Sequence, residues 1–361
     1  MASKGSREFN MWRPCGTFDD KYEKDIAIIR TPTQWAIILL SLVALVILPK
    51  VVSGYIITTV NLIGISIISA QGLNILTGLT GQISIGHGAF MGVGAYTLMM
   101  LMNHLGFSFW LALPCSMLCS GLVGIIFGLP SLRIKGFYLA MATLAAQFLI
   151  PWIIINVRPD LTGGTSTITI PVPSFFGIRF SSRSTYYVIM FFTVVVVYFT
   201  RNLARCKIGR AFVAIRDNDL AAEIMGVEIF RYKLLSFFIC SMYAGLAGSL
   251  WALWMGAVNV DSFTLQESIW YMGMIIVGGL GSIPGTIFGV IFIRLLELFA
   301  QVLGPPIARL FPDAIGAAIK SGISPLLFGL VILIFLINEP RGLAHRWEIF
   351  KNFYRRWPFS Y

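Results

Sequence analysis

The sequence predicts an all-α polytopic integral membrane protein of about ten transmembrane helices, with glycine-broken segments in both halves and both termini in the cytoplasm. Of its 361 residues, 57% are apolar and only 12% are charged, and the mean hydropathy is +0.81. Apolar runs of about 20 residues, the length that crosses roughly 30 Å of hydrocarbon, recur along nearly the whole chain. A water-soluble domain of this size does not carry so much apolar surface.

Charged segments flank a single transmembrane domain. Residues 1–34 mix both signs of charge and precede the first apolar run, so we expect a retained cytosolic tail rather than a cleaved signal peptide. Residues 35–338 are predicted to form the transmembrane domain, and residues 339–361 a basic cytosolic tail. The net charge of +11 is typical of basic cytoplasmic loops in a membrane protein and does not indicate nucleic-acid binding.

Hydropathy places ten spans along the chain. An even number of spans puts both termini on one side, and the loops after the fourth and sixth spans and the C-terminal tail then bring their basic residues to that same face. The positive-inside rule assigns this face to the cytoplasm. The loop of residues 157–183 is expected to form a small extracytoplasmic cap. The predicted spans are 35–52, 55–76, 83–102, 109–130, 137–156, 185–200, 234–257, 267–280, 286–303 and 323–337.

Two segments do not resemble ordinary spans: "GLTGQISIGHGAF" (residues 78–90) and "VGGLGSIPGTIFG" (residues 277–289). Unpaired backbone at membrane depth costs several kcal/mol unless it is buried in protein or lines a wet cavity. Paired breaks in the two halves of a chain predict a transport pathway, while close helix packing through small residues is the open alternative. The candidate path residues are Gln71, Asn74, Gly78, Gln82, Ser84, His87, Gly279 and Gly281.

Ionisable residues within the spans allow two interpretations. His87 is either a proton relay or a hydrogen-bonded residue of a packed interior. Arg294 and Glu297, three residues apart on one helix face, are either a functional pair or partners that neutralise each other. The five cysteines show no metal-ligand spacing. We therefore predict no catalytic residue, no metal site and no cofactor.

The loop of residues 201–233 is predicted to be folded. Residues 209–215 form a short helix with Ala211, Phe212 and Ile215 on one side, and the Asp-Asn-Asp run 217–219 offers N-caps to a second helix that ends at Gly226. Helices this short need a packing partner. That partner is either the protein's own lipid-facing rim or a docking protein in the cytosol.

Four segments together resemble the permease family of branched-chain amino acid ABC importers, and within it the LivM-type subunit. They are "GLTGQISIGHGAFMGVGAYT", "GRAFVAIRDNDLAAEIMGVEIFRYKLLSFFICSMYAGLAGSLWA", "GGLGSIPGTIFG" and "EPRGLA". The resemblance runs from about Trp35 to Ala344. It implies a bacterial or archaeal cytoplasmic membrane, a second homologous, LivH-like permease, two cytosolic ABC ATPases and a periplasmic or lipid-anchored binding protein that delivers leucine, isoleucine or valine.

The resemblance also assigns roles within the chain. The sequence has no GxxxxGK phosphate loop, so we expect ATP hydrolysis on a separate subunit and no enzymatic activity here. Asp261 and Glu267, near the outer mouth of the eighth span, either meet the binding protein or face water. The residues expected to couple to the ATPase are Gly209, Arg210, Ala211, Ile215, Arg216, Asp217, Asp219, Ala222, Glu223 and Gly226.

Other function classes remain as alternatives. Relatives of this permease class carry urea, amides and other amino acids, and the spans do not specify a cargo. An ion-coupled secondary transporter would place carboxylates or relays along its path, where the spans offer little beyond Glu297 and His87. A membrane enzyme would cluster His, Asp or Cys, and a channel would show repeated polar rings.

Overall fold

The computed structural model describes residues 32–131, 137–171, 174–175, 178–179, 182–308, 313–339 and 341–356. Nearly all of this part of the chain is helical, which agrees with the predicted all-α membrane protein. The predicted N-terminal tail lies outside the described residues, except for its last three. The chain divides into two units, residues 1–58 and residues 59–361. The first contains helix α1 and the start of helix α2, and the second contains every site described below.

Fourteen helices lie in the described residues. Helix α2 runs directly into a π-helical turn, Asn74–Leu79, and α10 is followed by a 3-10 turn, Val260–Ser262. The helices are α1 (Pro32–Val51), α2 (Gly54–Leu73), α3 (His87–Asn103), α4 (Phe109–Ser131), α5 (Phe137–Asn156), α6 (Pro159–Thr162), α7 (Ser182–Arg205), α8 (Lys207–Asp217), α9 (Asp219–Ile224), α10 (Ile229–Met255), α11 (Leu265–Gly278), α12 (Ile283–Ala308), α13 (Asp313–Asn338) and α14 (Gly342–Arg356).

Six helices in the described residues are long and apolar enough to cross a membrane, and a seventh span is added if α13 and α14, bent by 48°, count as one. Each of the ten predicted spans coincides with a helix, but α3 has 17 residues and α11 has 14. Both are short because a broken segment adjoins them. The multi-pass prediction is therefore confirmed, and the count of ten stays a prediction.

Helix α10 is the centre of the second unit and packs against α3 and α4. Gly94 of α3 lies against Gly245 of α10 so closely that a Cβ atom on Gly94 would collide with the backbone of Gly245. Serine hydroxyls join the helices beside this crossing: Ser116 Oγ lies 2.7 Å from Ser249 Oγ, and Ser120 Oγ donates to the Phe90 carbonyl at 2.9 Å. Small residues and interhelical hydrogen bonds are how helices associate within a membrane.

Two pairs of short strands lie outside the helices. Strand β1 (Ile168–Thr169) pairs antiparallel with β4 (Ala257–Val258), and β2 (Ser174–Phe175) pairs with β3 (Ile178–Arg179). The Asn103 amide, at the end of α3, donates to the Thr169 carbonyl at 3.1 Å. The loop predicted as a cap is thus attached to the ends of α3 and α10. We call this side of the molecule the strand end, and the opposite side the α8–α9 end.

Candidate functional site

The first glycine-broken segment begins inside the π-helical turn, whose last two residues are Gly78 and Leu79. Its backbone is satisfied locally, because Thr80 N donates to Ile75 O at 3.2 Å and Gln82 N donates to Leu76 O at 3.0 Å. The Thr77 hydroxyl donates to the Gln82 carbonyl at 3.1 Å. The chain can therefore leave the helix at this depth without exposing polar backbone, as buried irregular segments of membrane proteins require. A single π-helical turn within a helix frequently marks a functional site.

The second broken segment, between the end of α11 at Gly278 and the start of α12 at Ile283, meets the first. Gly281 N donates to Asn74 Oδ1 at 2.8 Å, and Gln71 Nε2 donates to the Ile283 carbonyl at 3.0 Å. A Cβ atom on Gly78 would lie 2.9 Å from Gly281 Cα, and the φ angle of Gly281 is +80°. Only glycine fits this contact. The structure thus brings the two breaks, which the sequence identified separately, into one place.

Arg216, at the end of α8, reaches this contact. Its Nη1 donates to the Gly78 carbonyl at 2.9 Å, and a Cβ atom on Gly281 would lie 3.0 Å from the same nitrogen. Its Nη2 donates to Asp217 Oδ1 at 3.0 Å, and 38% of its side chain is exposed. Arg216 therefore links α8 to both broken segments. We call Asn74, Gly78, Gly281 and Arg216 the glycine joint.

Helix α8 lies on the π-helical turn. Ala211, Phe212 and Ile215 are buried, on the common side that the sequence predicts. Phe212 packs in one cluster with Ile75 and Leu79 of the turn, so α8 and the first broken segment share a hydrophobic contact as well as the Arg216 hydrogen bond. The helix extends two residues beyond the predicted range at each end.

Helix α9 presents an apolar patch to the solvent. Asn218 is the N-cap, because its Oδ1 accepts from Ala221 N at 3.1 Å. Ala222 is 4% exposed and faces inward, whereas Leu220, Ile224 and Met225 are 62%, 86% and 83% exposed. We call these three residues the α9 patch. The predicted coupling set omits them, although large apolar side chains in a short helix between charged residues are a signal for such a surface.

The other predicted coupling residues are distributed over both faces of the loop. Gly209 is buried against the backbone of Leu203 and Ala204. Arg210 is exposed and donates to the Arg205 carbonyl at 3.2 Å. Asp219 Oδ2 lies 3.7 Å from Lys233 Nζ at the start of α10, while Asp217, Glu223 and Gly226 are exposed.

The remaining predicted path residues lie within the bundle. Gln82 Nε2 donates to Ser236 Oγ at 2.9 Å, and Ser84 and Gly279 are buried. His87 is fully buried; its Nε2 lies 2.9 Å from Ser69 Oγ, and its Nδ1 lies 3.6 Å from Cys240 Sγ. These contacts match the packed-interior interpretation of His87.

The first backbone amides of α3 are satisfied by side chains from two other helices. Gly88 N donates to Ser268 Oγ at 2.8 Å, and Ala89 N donates to Gln147 Oε1 at 3.0 Å. Gln147 Nε2 in turn donates to the Phe263 carbonyl at 2.8 Å. Because the first turn of a helix has no internal acceptors, these bonds allow α3 to begin inside the bundle.

A cavity of about 260 Å³ lies between α2, α3, α10, α11 and α12, toward the strand end. Arg294 is its central charge: Nη1 lies 2.7 Å from Glu297 Oε2, Nε donates to Ser66 Oγ at 2.9 Å, and Nη2 lies 3.8 Å from Glu267 Oε2. The predicted pairing of Arg294 with Glu297 is present, and Glu267 is an addition that the sequence did not reveal. The eight predicted path residues, all described, are outside its lining. Its polar lining residues include Ser66, Asp261, Glu267, Tyr271, Arg294 and Glu297.

Comparison with known proteins identifies the family. A family model described as the permease component of branched-chain amino acid transport systems matches residues 55–337. The high-affinity branched-chain amino acid transport system permease protein LivM of Salmonella typhimurium is 32% identical over 305 residues, which are 77% of this chain and 67% of that protein. LivM of Escherichia coli is 31% identical over 84% of this chain and 74% of its own. A probable LivM of Methanocaldococcus jannaschii is 25% identical over 64% of this chain and 67% of its own. No solved structure matches the chain.

Proposed function

The chain belongs to the permease components of branched-chain amino acid transport systems, as a multi-pass subunit of an ATP-binding-cassette importer, and we propose that it moves branched-chain or related hydrophobic amino acids across a bacterial or archaeal cytoplasmic membrane. The support for this cargo is the names of its relatives. Transport of urea or an amide by the same machinery is the alternative. Binding measurements on the importer's own binding protein would identify the cargo directly.

We propose ten membrane spans with both termini in the cytoplasm. The packing of α14 supports this orientation, because the backbone of Gly342 lies against Gly279, next to the glycine joint at the α8–α9 end. The basic C-terminal helix and the basic α7–α8 junction then share one side, as the positive-inside rule requires. The strand end would face outward, toward the binding protein.

The α9 patch is the proposed contact with a cytosolic ATPase. Leu220, Ile224 and Met225 are exposed on a helix that also carries Asp219 and Glu223, a composition typical of an apolar interface centre with a polar rim. Hydrolysis of ATP would occur on that partner. A second, LivH-like permease would complete the pathway, which the predicted path residues would line in part.

The glycine joint is the proposed route by which ATPase motion reaches the pathway. Helix α8 is held to the π-helical turn by Phe212 and to the Gly78 carbonyl by Arg216. A displacement of α8 and α9 would therefore shift both broken segments together, since Gly78 and Gly281 are in contact. If the contact between Gly78 and Gly281 has two discrete packed arrangements, motion of the ATPase can switch the pathway between two states. The Arg216 hydrogen bond to Gly78 is the observation that carries this proposal.

A charge placed in the α9 patch tests the docking surface. We expect Ile224→Asp to abolish ATP-driven uptake by the complete importer in proteoliposomes while the permease remains in the membrane, because burial of an isoleucine contributes about 1.5–3 kcal/mol and a charge adds a desolvation cost. Asn352→Asp, which adds the same charge at an exposed position of α14, is the matched control. Normal uptake by the Ile224 variant would show that the α9 patch is not the contact.

A further inference from the structure

The cavity around Arg294 contains both signs of charge, and Arg294 itself lies partway along a candidate membrane-spanning helix. Arg294 is the twelfth residue of the 26-residue helix α12, about 16 Å from its start at 1.5 Å per residue, and only 8% of its side chain is exposed. Ionisable residues at this depth are costly and usually serve a function. Mutual neutralisation, one of the two predicted interpretations of the Arg294–Glu297 pair, does not account for the third group, Glu267.

Charge is unbalanced among the described residues that line the cavity. Arg294 shares the lining with three carboxylates, those of Asp261, Glu267 and Glu297. Glu297 is bonded directly to Nη1, whereas Glu267 lies 3.8 Å from Nη2, beyond hydrogen-bond distance, with 38% of its side chain exposed. Arg294 Nη2 and the Glu267 carboxylate thus form a looser ion pair than Nη1 and Glu297, which leaves both groups able to bond a ligand. A partly buried carboxylate gains stability from a further cation.

Part of the cavity lining is apolar. Its apolar lining includes Leu62, Ile65, Met91, Trp251 and Phe263. The volume of about 260 Å³ is below the ~300 Å³ lower limit of pockets for drug-sized ligands, so it suits a small molecule. A site lined both by charged groups and by aliphatic and aromatic side chains matches a free apolar amino acid: one ammonium, one carboxylate and a hydrocarbon side chain.

We propose that this cavity is a binding site for the zwitterionic head and apolar side chain of an α-amino acid, with the ammonium group at Glu267 and the carboxylate at Arg294 Nη2. This rests on the proposed function, which brings the cargo to the strand end, where Asp261 and the cavity lie. The broad apolar wall fixes no side-chain shape, so the site accepts several aliphatic amino acids. The charges of the head group would then distinguish amino acids from amides, amines and carboxylic acids.

Photolabelling of the assembled importer tests the site without relying on transport. A leucine analogue with a diazirine in its side chain, at millimolar concentration and without the binding protein, should modify Met91, Trp251 or Phe263. Excess leucine should compete, and equal concentrations of isopentylamine or 4-methylpentanoate, which carry one charge each, should not. Modification outside the cavity, or equal competition by either singly charged compound, would overturn the proposal.

Substitution of Glu267 gives a second measurement. Loss of a hydrogen bond to a charged group lowers binding affinity about tenfold or more. Glu267→Gln should therefore reduce both labelling and uptake about tenfold, and Glu267→Asp should restore part of each. Glu348→Gln, at an exposed position of α14, is the control. Unchanged labelling in Glu267→Gln would show that Glu267 does not bind the ammonium group. If Glu267→Gln does not fold, the labelled positions in the unmodified importer decide the proposal.

The two proposals fail in different ways. Binding-protein-stimulated ATP hydrolysis by the complete complex reports on the proposed function and does not require the cavity. If hydrolysis is stimulated but the label lies elsewhere, only the cavity inference is wrong. If the chain does not assemble with an ATPase, the proposed function is wrong.

Discussion

Replacement of Arg216 by glutamine should disconnect α8 from the glycine joint. The hydrogen bond from Nη1 to the Gly78 carbonyl is 2.9 Å long, and hydrogen bonds to charged groups contribute about 1.5–3 kcal/mol. Because 38% of the side chain is exposed, we take the lower value, about 1.5 kcal/mol. This corresponds to roughly a tenfold change in the equilibrium between coupled arrangements. We therefore expect about a tenfold fall in amino acid uptake per ATP hydrolysed.

Uptake and ATP hydrolysis should be measured in the same proteoliposomes that contain the complete importer. Hydrolysis should persist in Arg216→Gln, because the α9 patch is unchanged, while uptake falls. Arg231→Gln is the control: its guanidinium forms a 2.7 Å ion pair with Glu228 on the exposed surface, and such pairs contribute about 0–1 kcal/mol. The reasoning is refuted if Arg216→Gln retains the normal ratio of uptake to hydrolysis.

Two further substitutions test the packing that supports the site. Gly281→Ala should lower the free energy of unfolding by at least about 1–2 kcal/mol, the cost of a left-handed backbone for a non-glycine residue, and its Cβ atom would also crowd the Gly78 carbonyl oxygen at 3.0 Å. Thermal unfolding of the purified permease should show this loss of stability. Gly322→Ala is the control and should show no loss, because a Cβ atom there meets nothing within 4 Å. Gln147→Leu should cost about 1–3 kcal/mol for each buried group that it leaves unpaired, including the amide of Ala89. Phe148→Leu, at a position 62% exposed, is the comparison, and equal stability of these two variants would contradict the role of Gln147.

Local patterns in the sequence predicted the helices and the positions of the breaks. Apolar runs identify spans because hydrophobic length is a property of consecutive residues. The cap of α9 was predicted only as one of three residues, since Asp217, Asn218 and Asp219 all favour that role, and the structure selects Asn218. The contact between the breaks could not be predicted, because Asn74 and Gly281 are separated by 207 positions.

Other features were missed for the same physical reason. Strands β1 and β4 have two residues each, too few for an alternating pattern, and they depend on pairing between distant segments and on the Asn103 amide. Glu267 belongs to α11, whereas Arg294 and Glu297 belong to α12. Spacing on one helix identified the pair, and only the packing of two helices reveals the third member.

The contact of Gly78 with Gly281 is made of main chain on both sides. Its geometry therefore depends on backbone atoms and not on the type of the surrounding side chains. Any side chain larger than that of glycine at either position would crowd against the other segment. The walls of the cavity at Arg294, in contrast, are side chains from several helices. With an amino acid bound at Arg294 as proposed, larger side chains in these walls should narrow the range of accepted amino acids and leave the contact of Gly78 with Gly281 unchanged.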